Sequence, residues 1–551
     1  MAEAAPPAPS VDPRSGFCAE TRTFHSLRSP PTRLPPQSLP LSFPSFLFSF
    51  LPSPLPCHPA FLDPSTHDSI SFPSLLSNVR SLSFALRPKI SKGDVALVVS
   101  PPRLDLPILY LSLLSLGAVV SPVNPVSTSS EISRLVELSS PSLAFATSST
   151  APKFPPDFPL VLLDSPYFQS LLNAESGVHI PEDEDIRQSD TAAIMYSSGT
   201  SGLVKGVALS HRNLIAQVAP LASEPATRPA PVLMITVPLF HVYGFVFCLK
   251  TVAAGETAVI SSARFDAWRT LEAISRFRVT NLALAPPGVL ALVGAREKEQ
   301  AAKKSRSDVS SVKAASCGGA PIGTDLIRRF LAAFPHTRLA QGYGMTESTG
   351  GAFRSESPEE NQRLGSVGRL VWGMEARIVD PVTGVALSPS MQGELWIRGP
   401  TIMQGYIGDD LSTSATLDSE GWLKTGDLCY IDEDGFLVLL DRLKELIKYK
   451  GYQVAPAELE SLLQTHPDII EAAVVPYPDE QAGQIPVAFV LRKPHSILNE
   501  AQIMEFVGKQ VAPYKKIRRV IFVNSIQKNA AGKILRKDLT KLAFPVTNSK
   551  M

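Results

Sequence analysis

The stretch TAAIMYSSGTSGLVKGVALSHRN, residues 191–213, sets an apolar run of strand character directly before a loop of glycines and hydroxyls that ends in a lysine. Gly199 and Gly202 can take backbone conformations closed to other residues, and successive N–H groups turned inward make a nest for phosphate oxygens. Ser197, Ser198, Thr200 and Ser201 add hydroxyl donors, and Lys205 offsets polyphosphate charge. A flexible turn rich in small residues is the competing reading. The common P-loop is excluded, because Gly206 rather than Ser or Thr follows the lysine, and so is the dinucleotide fingerprint, for lack of G-x-G-x-x-G.

Outward from this loop, short apolar runs alternate with helical stretches: DVALVVS from Asp94, AVVSPVN, SLAFAT, LVLLD, VLMITVP, ETAVISS and VTNLALAPP. That rhythm predicts parallel sheets covered by helices. LPILYLSLLSLGAVVSPV from Leu106 is nearly uncharged, but Gly117 and Pro122 interrupt it, so it reads as a buried helix and a strand rather than a membrane span. In PIGTDLIRRFLAAFPHTRLAQGYG, Thr324 is the expected cap of a helix whose Leu326, Ile327, Phe330, Leu331 and Phe334 share a face. Leu339 then begins a strand opening into 341–347. The Pro- and Phe-rich residues 1–65 are expected to be irregular chain packed on a core.

Past residue 370 the texture changes to short strands and turns, EARIVDPVTG, GELWIRGP and GFLVLLDR. The expected fold is therefore α/β: a large N-terminal domain, residues 1–440, of helix-covered sheets with a β-rich subdomain at about 370–440. A small, mobile α+β domain, residues 441–551, follows a hinge at 441–444. In that second domain, Pro456 opens a helix and Asn499 with Gln502 forms a capping box.

A chain of 551 residues exceeds one ordinary core, and 44% apolar with 19% charged residues suits a folded protein rather than a disordered one. A net charge of +1 without a long single-sign run gives no electrostatic footprint for nucleic acid. The five cysteines form no CxxC pair, so neither a disulfide framework nor a zinc ribbon is indicated. No positively charged segment leads into an apolar one at the start, so a secretory signal is not expected.

Further motifs carry polar chemistry. His241 follows an apolar strand in PLFHVYGF, where a satisfied core or turn histidine is the plainer alternative. QGYGMTE supplies Tyr343 to stack on a flat ring, Thr346 to hydrogen-bond and Glu347 to meet magnesium or water. In TGD, Asp427 can grip vicinal ribose hydroxyls. DRLKELIKYKGYQVAPAELE packs Arg442, Lys444, Lys448 and Lys450 within nine residues, and NAAGKILRKDL offers Lys533 after Gly532.

In this order the motifs resemble the adenylate-forming superfamily of acyl-CoA synthetases, nonribosomal adenylation domains and firefly luciferase, and most of all the plant 4-coumarate:CoA ligase and ligase-like group. The resemblance implies an ATP-dependent carboxylate:CoA ligase working through an acyl-adenylate, with ATP, Mg2+ and CoA as cofactor and cosubstrates. By it, Ser197, Ser198, Gly199, Thr200, Ser201 and Lys205 bind phosphate. His241 lies beside the acyl carboxylate, Tyr243 shapes the acyl pocket and Gly318 and Gly319 form its floor. Gln341, Gly342, Tyr343 and Thr346 flank AMP, while Glu347, with Thr200, holds magnesium. Asp427 takes the ribose with Arg442 assisting. Lys444, Lys448 and Gln453 touch the adenylate, Lys450 and Gly451 touch CoA, and Lys533 drives adenylation. Asn529, Ala530 and Ala531 stand where the family has Ser-Pro-Ser, which predicts a looser loop.

The acid implied is 4-coumarate or a related hydroxycinnamate, placing the protein in phenylpropanoid metabolism. The alternatives are a peroxisomal ligase for fatty acids or jasmonate precursors, and a non-catalytic scaffold that kept the fold. Ser549, Lys550 and Met551 form a variant of the S-K-L peroxisomal address, so an import receptor is an expected partner and the peroxisome the expected location, with the cytoplasm as alternative.

Overall fold

The computed structural model describes residues 10–31, 34–174, 185–198, 204–223, 229–302, 307–450, 452–479, 481–529 and 532–543. Gly199, Thr200, Ser201, Gly451 and the terminal tripeptide lie outside this set, as do the side chains of Ser198 and Gln453.

The two large sheets are built as the apolar rhythm requires. In the first, Val119–Val123, Val95–Val99, Leu143–Ala146 and Leu160–Leu162 run parallel, and Thr191–Ser198 joins them beside Val119–Val123. In the second, Arg338–Met345, Ala314–Cys317, Asn281–Leu284, Val232–Ile235, Thr257–Ile260 and Pro59–Leu62 form a parallel run. Every residue of the helix Leu106–Ser115 is buried, and it turns through Gly117 into Val119–Val123. Its uniform hydrophobicity thus belongs to a helix enclosed on all sides. No described helix is long and apolar enough to cross a membrane.

The β-rich part is a sheet ordered Phe17–Cys18, Thr23–His25, Glu375–Val379, Gly393–Arg398, Leu423–Ile431, Leu437–Arg442. Its first two strands correct the expectation that residues 1–65 are irregular: Phe24 is fully buried and pairs with Ala376, so the start of the chain completes a sheet formed 350 residues later. The helix Phe43–Phe48 and the strand Pro59–Leu62 add order to the same segment.

The C-terminal part is α+β, with Ile469–Asp479 and Gly483–Arg492 as a long antiparallel pair and Arg519–Phe522 parallel beside it. The helix Pro456–Gln464 starts at its proline, and Asn499 and Gln502 exchange both capping hydrogen bonds. One cap was misplaced by sequence. Gly323 occupies the N-cap position, and Thr324 is the first helical residue with no capping bond.

Candidate active site

The strands Thr191–Ser198 and Val204–Ser210 pair antiparallel, with Lys205 directly opposite Ser197. These two strands therefore face each other with a hydroxyl opposite an ammonium, while residues 199–203 between them lie outside the described residues. Gly206 lets the strand Gly405–Tyr406 and its extension come close, since a Cβ there would lie 2.5 Å from Ile407 Cγ1. That approach carries Tyr406 to the site. Its hydroxyl donates to Glu347 Oε1 at 3.0 Å, Ser197 Oγ donates to the same oxygen at 3.0 Å, and Lys205 Nζ sits 4.2 Å above the Tyr406 ring. Tyr406 was not read from sequence; only the short apolar strand before GDD hinted at it.

His241 is the N-cap of the helix Val242–Ala253, its Nδ1 accepting the Tyr243 N–H at 3.3 Å. The turn-residue reading of this histidine therefore holds, and the same residue lines the cavity described below. With Nδ1 accepting, the neutral ring carries its proton on Nε2, and burial lowers its pKa so that the neutral form prevails. Tyr243 is fixed by donating to Ser316 O at 3.0 Å, and a Cβ on Gly318 would lie 3.9 Å from its ring, so the glycine floor touches the tyrosine wall. Cys317 beside them is buried and its thiol is pushed up to about 12 by that burial, which suits lining rather than nucleophilic attack.

The strand Arg338–Met345 crosses the centre of the site with a bulge at Tyr343 and Gly344, where Gly350 O would lie 1.8 Å from any Cβ on Gly344. Tyr343 is buried and its hydroxyl donates to Asp427 Oδ2 at 2.6 Å, while Arg442 Nε lies 2.7 Å from Asp427 Oδ1. Burial raises the Asp427 pKa, and Arg442 and the Tyr343 hydroxyl oppose the rise. Burial disfavours the charge on Arg442, but Asp427 attracts it strongly enough to hold its pKa above the ordinary value. Asp427 is thus braced on both oxygens behind Tyr343, whereas Thr425 and Gly426 reach the cavity surface.

A cavity of about 1920 Å³ joins these groups: Ser197, Lys205, His241, Tyr343, Glu347 and Lys533 all face it. Gly318, Gly319, Gln341, Gly342, Thr346, Arg442 and Lys444 also line it. Lys533 arrives from the C-terminal part on a turn in which Asn529 accepts the Lys533 N–H through Oδ1 at 2.9 Å and donates its own N–H to Lys533 O at 2.9 Å. Asn529 thus holds Lys533 through both its side chain and its backbone, whereas Ala530 and Ala531, on which the expected looseness also rested, lie outside the described residues. Gly532 has φ +82 and presses on Pro287, 2.6 Å from a Cβ at that position. Burial, then the charge of Arg442, lowers the Lys533 pKa. Lys448 and Lys450 are exposed on the strand Ile447–Tyr449 and the residue after it, away from this cavity lining.

Among the described residues no cluster of three His, Cys, Asp or Glu is present. Glu347 nevertheless offers a hard carboxylate oxygen beside Ser197, and Mg2+ commonly takes one or two protein carboxylates with substrate phosphates completing its shell. The donor set fits that ion. Arg536 is a second group that sequence did not single out. It binds Glu445 at 2.7 Å and both oxygens of Glu460, and so anchors the segment bearing Lys533 to the residue just beyond 441–444.

Ser197 and Lys205 on a strand hairpin, a neutral His241, Glu347 and Lys533 thus line one cavity, an arrangement suited to stabilising negative charge. The chain belongs to the AMP-binding enzyme family: that model matches residues 54–407, and the AMP-binding enzyme C-terminal domain matches residues 458–533. Within it the chain stands close to the plant 4-coumarate:CoA ligase-like group. It is 48% identical to 4-coumarate–CoA ligase-like 9 of Arabidopsis thaliana, over 98% of both chains. It is 45% identical to Peroxisomal OPC-8:0-CoA ligase 1 of the same plant, over 98% of this chain and 100% of that one. The structure of ATP-bound MatB from Rhodopseudomonas palustris superposes with a TM-score of 0.81 at 25% identity, covering 91% of this chain and 99% of that one. The protein is an ATP-dependent, acyl-adenylate-forming ligase of the acyl-CoA synthetase superfamily.

Proposed function

We propose that this ligase joins a carboxylic acid to CoA in two steps at the cavity described above. The observation that carries the proposal is the presence of Lys533 in one cavity with His241, Glu347 and Lys205. A carboxylate repels nucleophiles, so its oxygen first attacks the α-phosphorus of ATP, and pyrophosphate leaves while the hairpin holds the terminal phosphates. His241 Nε2–H holds the carboxylate in place. Lys533 offsets the charge that grows on the phosphoryl oxygens. Glu347, with Thr200, would hold Mg2+, which would supply further charge neutralisation to the phosphates.

A thiol must then reach the carbonyl where Lys533 stood. A rotation of residues 441–551 about 441–444 withdraws Lys533 and brings Lys450 and Gly451 to the entrance, with Lys448 and Gln453 against the adenylate. The thiolate attacks the carbonyl and AMP departs.

Two acid classes fit. Hydroxycinnamates such as 4-coumarate are supported by the ring of Tyr243 lining the cavity beside Gly318 and Gly319 and by the names of the ligase-like relatives. Longer oxygenated acids are supported by the similarity to the peroxisomal ligase and by a cavity that continues beyond Tyr243, and the depth favours this class. The same relative and Ser549-Lys550-Met551 support import into peroxisomes. A fluorescent fusion should move from punctate to diffuse on deleting those three residues; a diffuse signal from both forms would leave the protein in the cytoplasm.

Lys533→Ala should lower acyl-AMP formation by roughly two to three orders of magnitude, the cost of removing a preorganised donor to developing charge. It should spare thioester formation from supplied acyl-AMP. Equal loss of both steps would refute the assigned role, and absence of pyrophosphate exchange with every acid would favour a scaffold.

A further inference from the structure

The helix Pro456–Gln464 follows Ala455, whose side chain offers no capping acceptor. Its cap comes from elsewhere. Asp441, 16 residues upstream, accepts the Ala457 N–H through Oδ2 at 2.9 Å and the Arg442 N–H through Oδ1 at 2.7 Å. A carboxylate in that place also meets the positive end of the helix dipole.

The two partners of the first hydrogen bond belong to different parts of the molecule. Asp441 lies in the six-stranded sheet opposite Leu428, and Leu443 N–H donates to Gly426 O at 2.9 Å, so this stretch of chain is fixed to the large part. The helix belongs to the C-terminal part: Leu459 and Leu463 are buried with Val474 and Val490, and Glu460 Oε1 accepts the Val474 N–H at 2.7 Å. The bond to Ala457 therefore spans the hinge, and rotation of the C-terminal part separates the pair. From the helix a short path leads to Lys533, since both oxygens of Glu460 hold Arg536 on the same turn of chain.

Resting on the two-step reading of the site, we propose that Asp441 is a positioning residue for adenylation, capping the helix Pro456–Gln464 across the hinge and thereby holding Lys533 at the cavity. Its charge sets how firmly it holds. Burial raises the Asp441 pKa to about 6; the two N–H donors and the Arg536 guanidinium oppose the rise, and Glu445 adds to it. Of the other charges nearby, Arg442 pairs with Asp427 on the adjoining strand, Glu458 with Lys515 and Glu460 with Arg536. Lys533 lies near Arg442 and Glu445, and Lys444 is exposed. Rotation takes away the helix end, Arg536 and the burial they create, which returns the carboxyl towards its ordinary 3.8. The adenylating pose thus binds the proton more tightly than the rotated one. It is favoured as pH falls through 6 and released as pH rises.

The ratio of thioester formation from supplied acyl-AMP to acyl-AMP formation is measured for the wild type, Asp441→Asn and Asp441→Ala, with 4-coumarate, butyrate and dodecanoate as the acids. Asparagine caps a helix as well as aspartate does, and alanine does not. At any one pH the ratio in Asp441→Ala should therefore exceed that in Asp441→Asn by about fivefold, whichever pose predominates. Between pH 7.5 and 5.5 the wild-type ratio should fall about fourfold relative to that of Asp441→Asn, because CoA and the other groups titrate alike in both. Both half-reactions changing in step between the two variants, or wild-type and Asp441→Asn ratios running parallel with pH, would each overturn the inference while leaving the ligase reading standing. Exchange of pyrophosphate by the wild type with none of the three acids would overturn both.

Discussion

At the scale of single residues, the groups that sequence exposed best are those whose chemistry is local. Lys205 after a glycine-hydroxyl loop, Glu347 in GMTE and Lys533 after Gly532 announce themselves by type and neighbour, and all three reach the cavity. Tyr406, Asp427's double brace and Arg536 were hidden because their meaning comes from partners 59, 84 and 76 residues away in sequence. His211 is hidden in the same way, and it makes the protein acid-sensitive. It is fully buried, its Nδ1 accepts the Phe43 N–H at 3.0 Å, and its Nε2 has no hydrogen-bond partner among the described residues. Burial lowers its pKa from 6.5 to about 4; nearby Asp190 opposes the shift and Lys92 reinforces it. Protonation would put a hydrogen on the nitrogen that must accept. The unfolded chain binds this proton first as pH falls, so the contribution is intact above 6.5 and is lost progressively towards 4. By pH 5 the loss should reach about 2 kcal/mol. Urea unfolding of the large domain at pH 7.5 and 5 should show it, and His211→Leu, though weaker at neutral pH, should flatten that part of the slope. An unchanged slope would exclude His211 as the source.

At the scale of elements, the apolar runs found most parallel strands of the large sheets, because burial on both faces of a parallel sheet leaves continuous apolar runs. The helices Phe72–Leu86, Ala267–Phe277 and Pro286–Ala301 and the strand Ala314–Cys317 were not picked out. Pairing was missed as well. Nothing local in Phe17–Cys18 or Thr23–His25 says that they edge a sheet with Glu375–Val379, since two- and three-residue strands carry almost no period. Nor does a run of PLFHVYGF show that its histidine caps the following helix. The decisive residue there is Gly244. A Cβ on it would lie 2.2 Å from Pro238 O, a backbone atom with no rotamer by which to retreat, and His241 N–H already donates to that carbonyl at 3.1 Å. Gly244→Ala must therefore push apart the strand exit and the first turn of the helix, displacing the capping histidine. Overpacking of this kind costs about 1 to 3 kcal/mol. The variant should melt lower than wild type, and its acyl-AMP formation should fall further than its stability alone explains when assayed well below the melting range. Activity retained in full at low temperature would mean that the His241 position tolerates the shift.

At the scale of the whole molecule, the fold places the C-terminal part over the cavity in a pose suited to one half-reaction. Lys533 points into the site, Gly532 rests on Pro287, and Lys448 and Lys450 face elsewhere. Both cannot serve the same acyl group in this arrangement, so the proposed second step demands movement. The interface offers a place to forbid it. A Cβ at Gly323, before the helix Thr324–Ala333, would lie 3.6 Å from Gln464 Oε1, at the end of the helix Pro456–Gln464. Gly323 has φ −70, so a side chain there is unstrained. Cysteines at 323 and 464, in a background with exposed Cys57 replaced by serine, can be bridged by a short reducible bis-thiol linker. The other four native cysteines are buried and should stay unreacted. The bridged protein should still exchange pyrophosphate at close to its unbridged rate, because the adenylating pose is the one being held. It should form little or no thioester from acyl-AMP and CoA, and reduction of the linker should restore that step. If thioester formation survived bridging, one fixed arrangement would serve both half-reactions, and the rotation about 441–444 would be unnecessary.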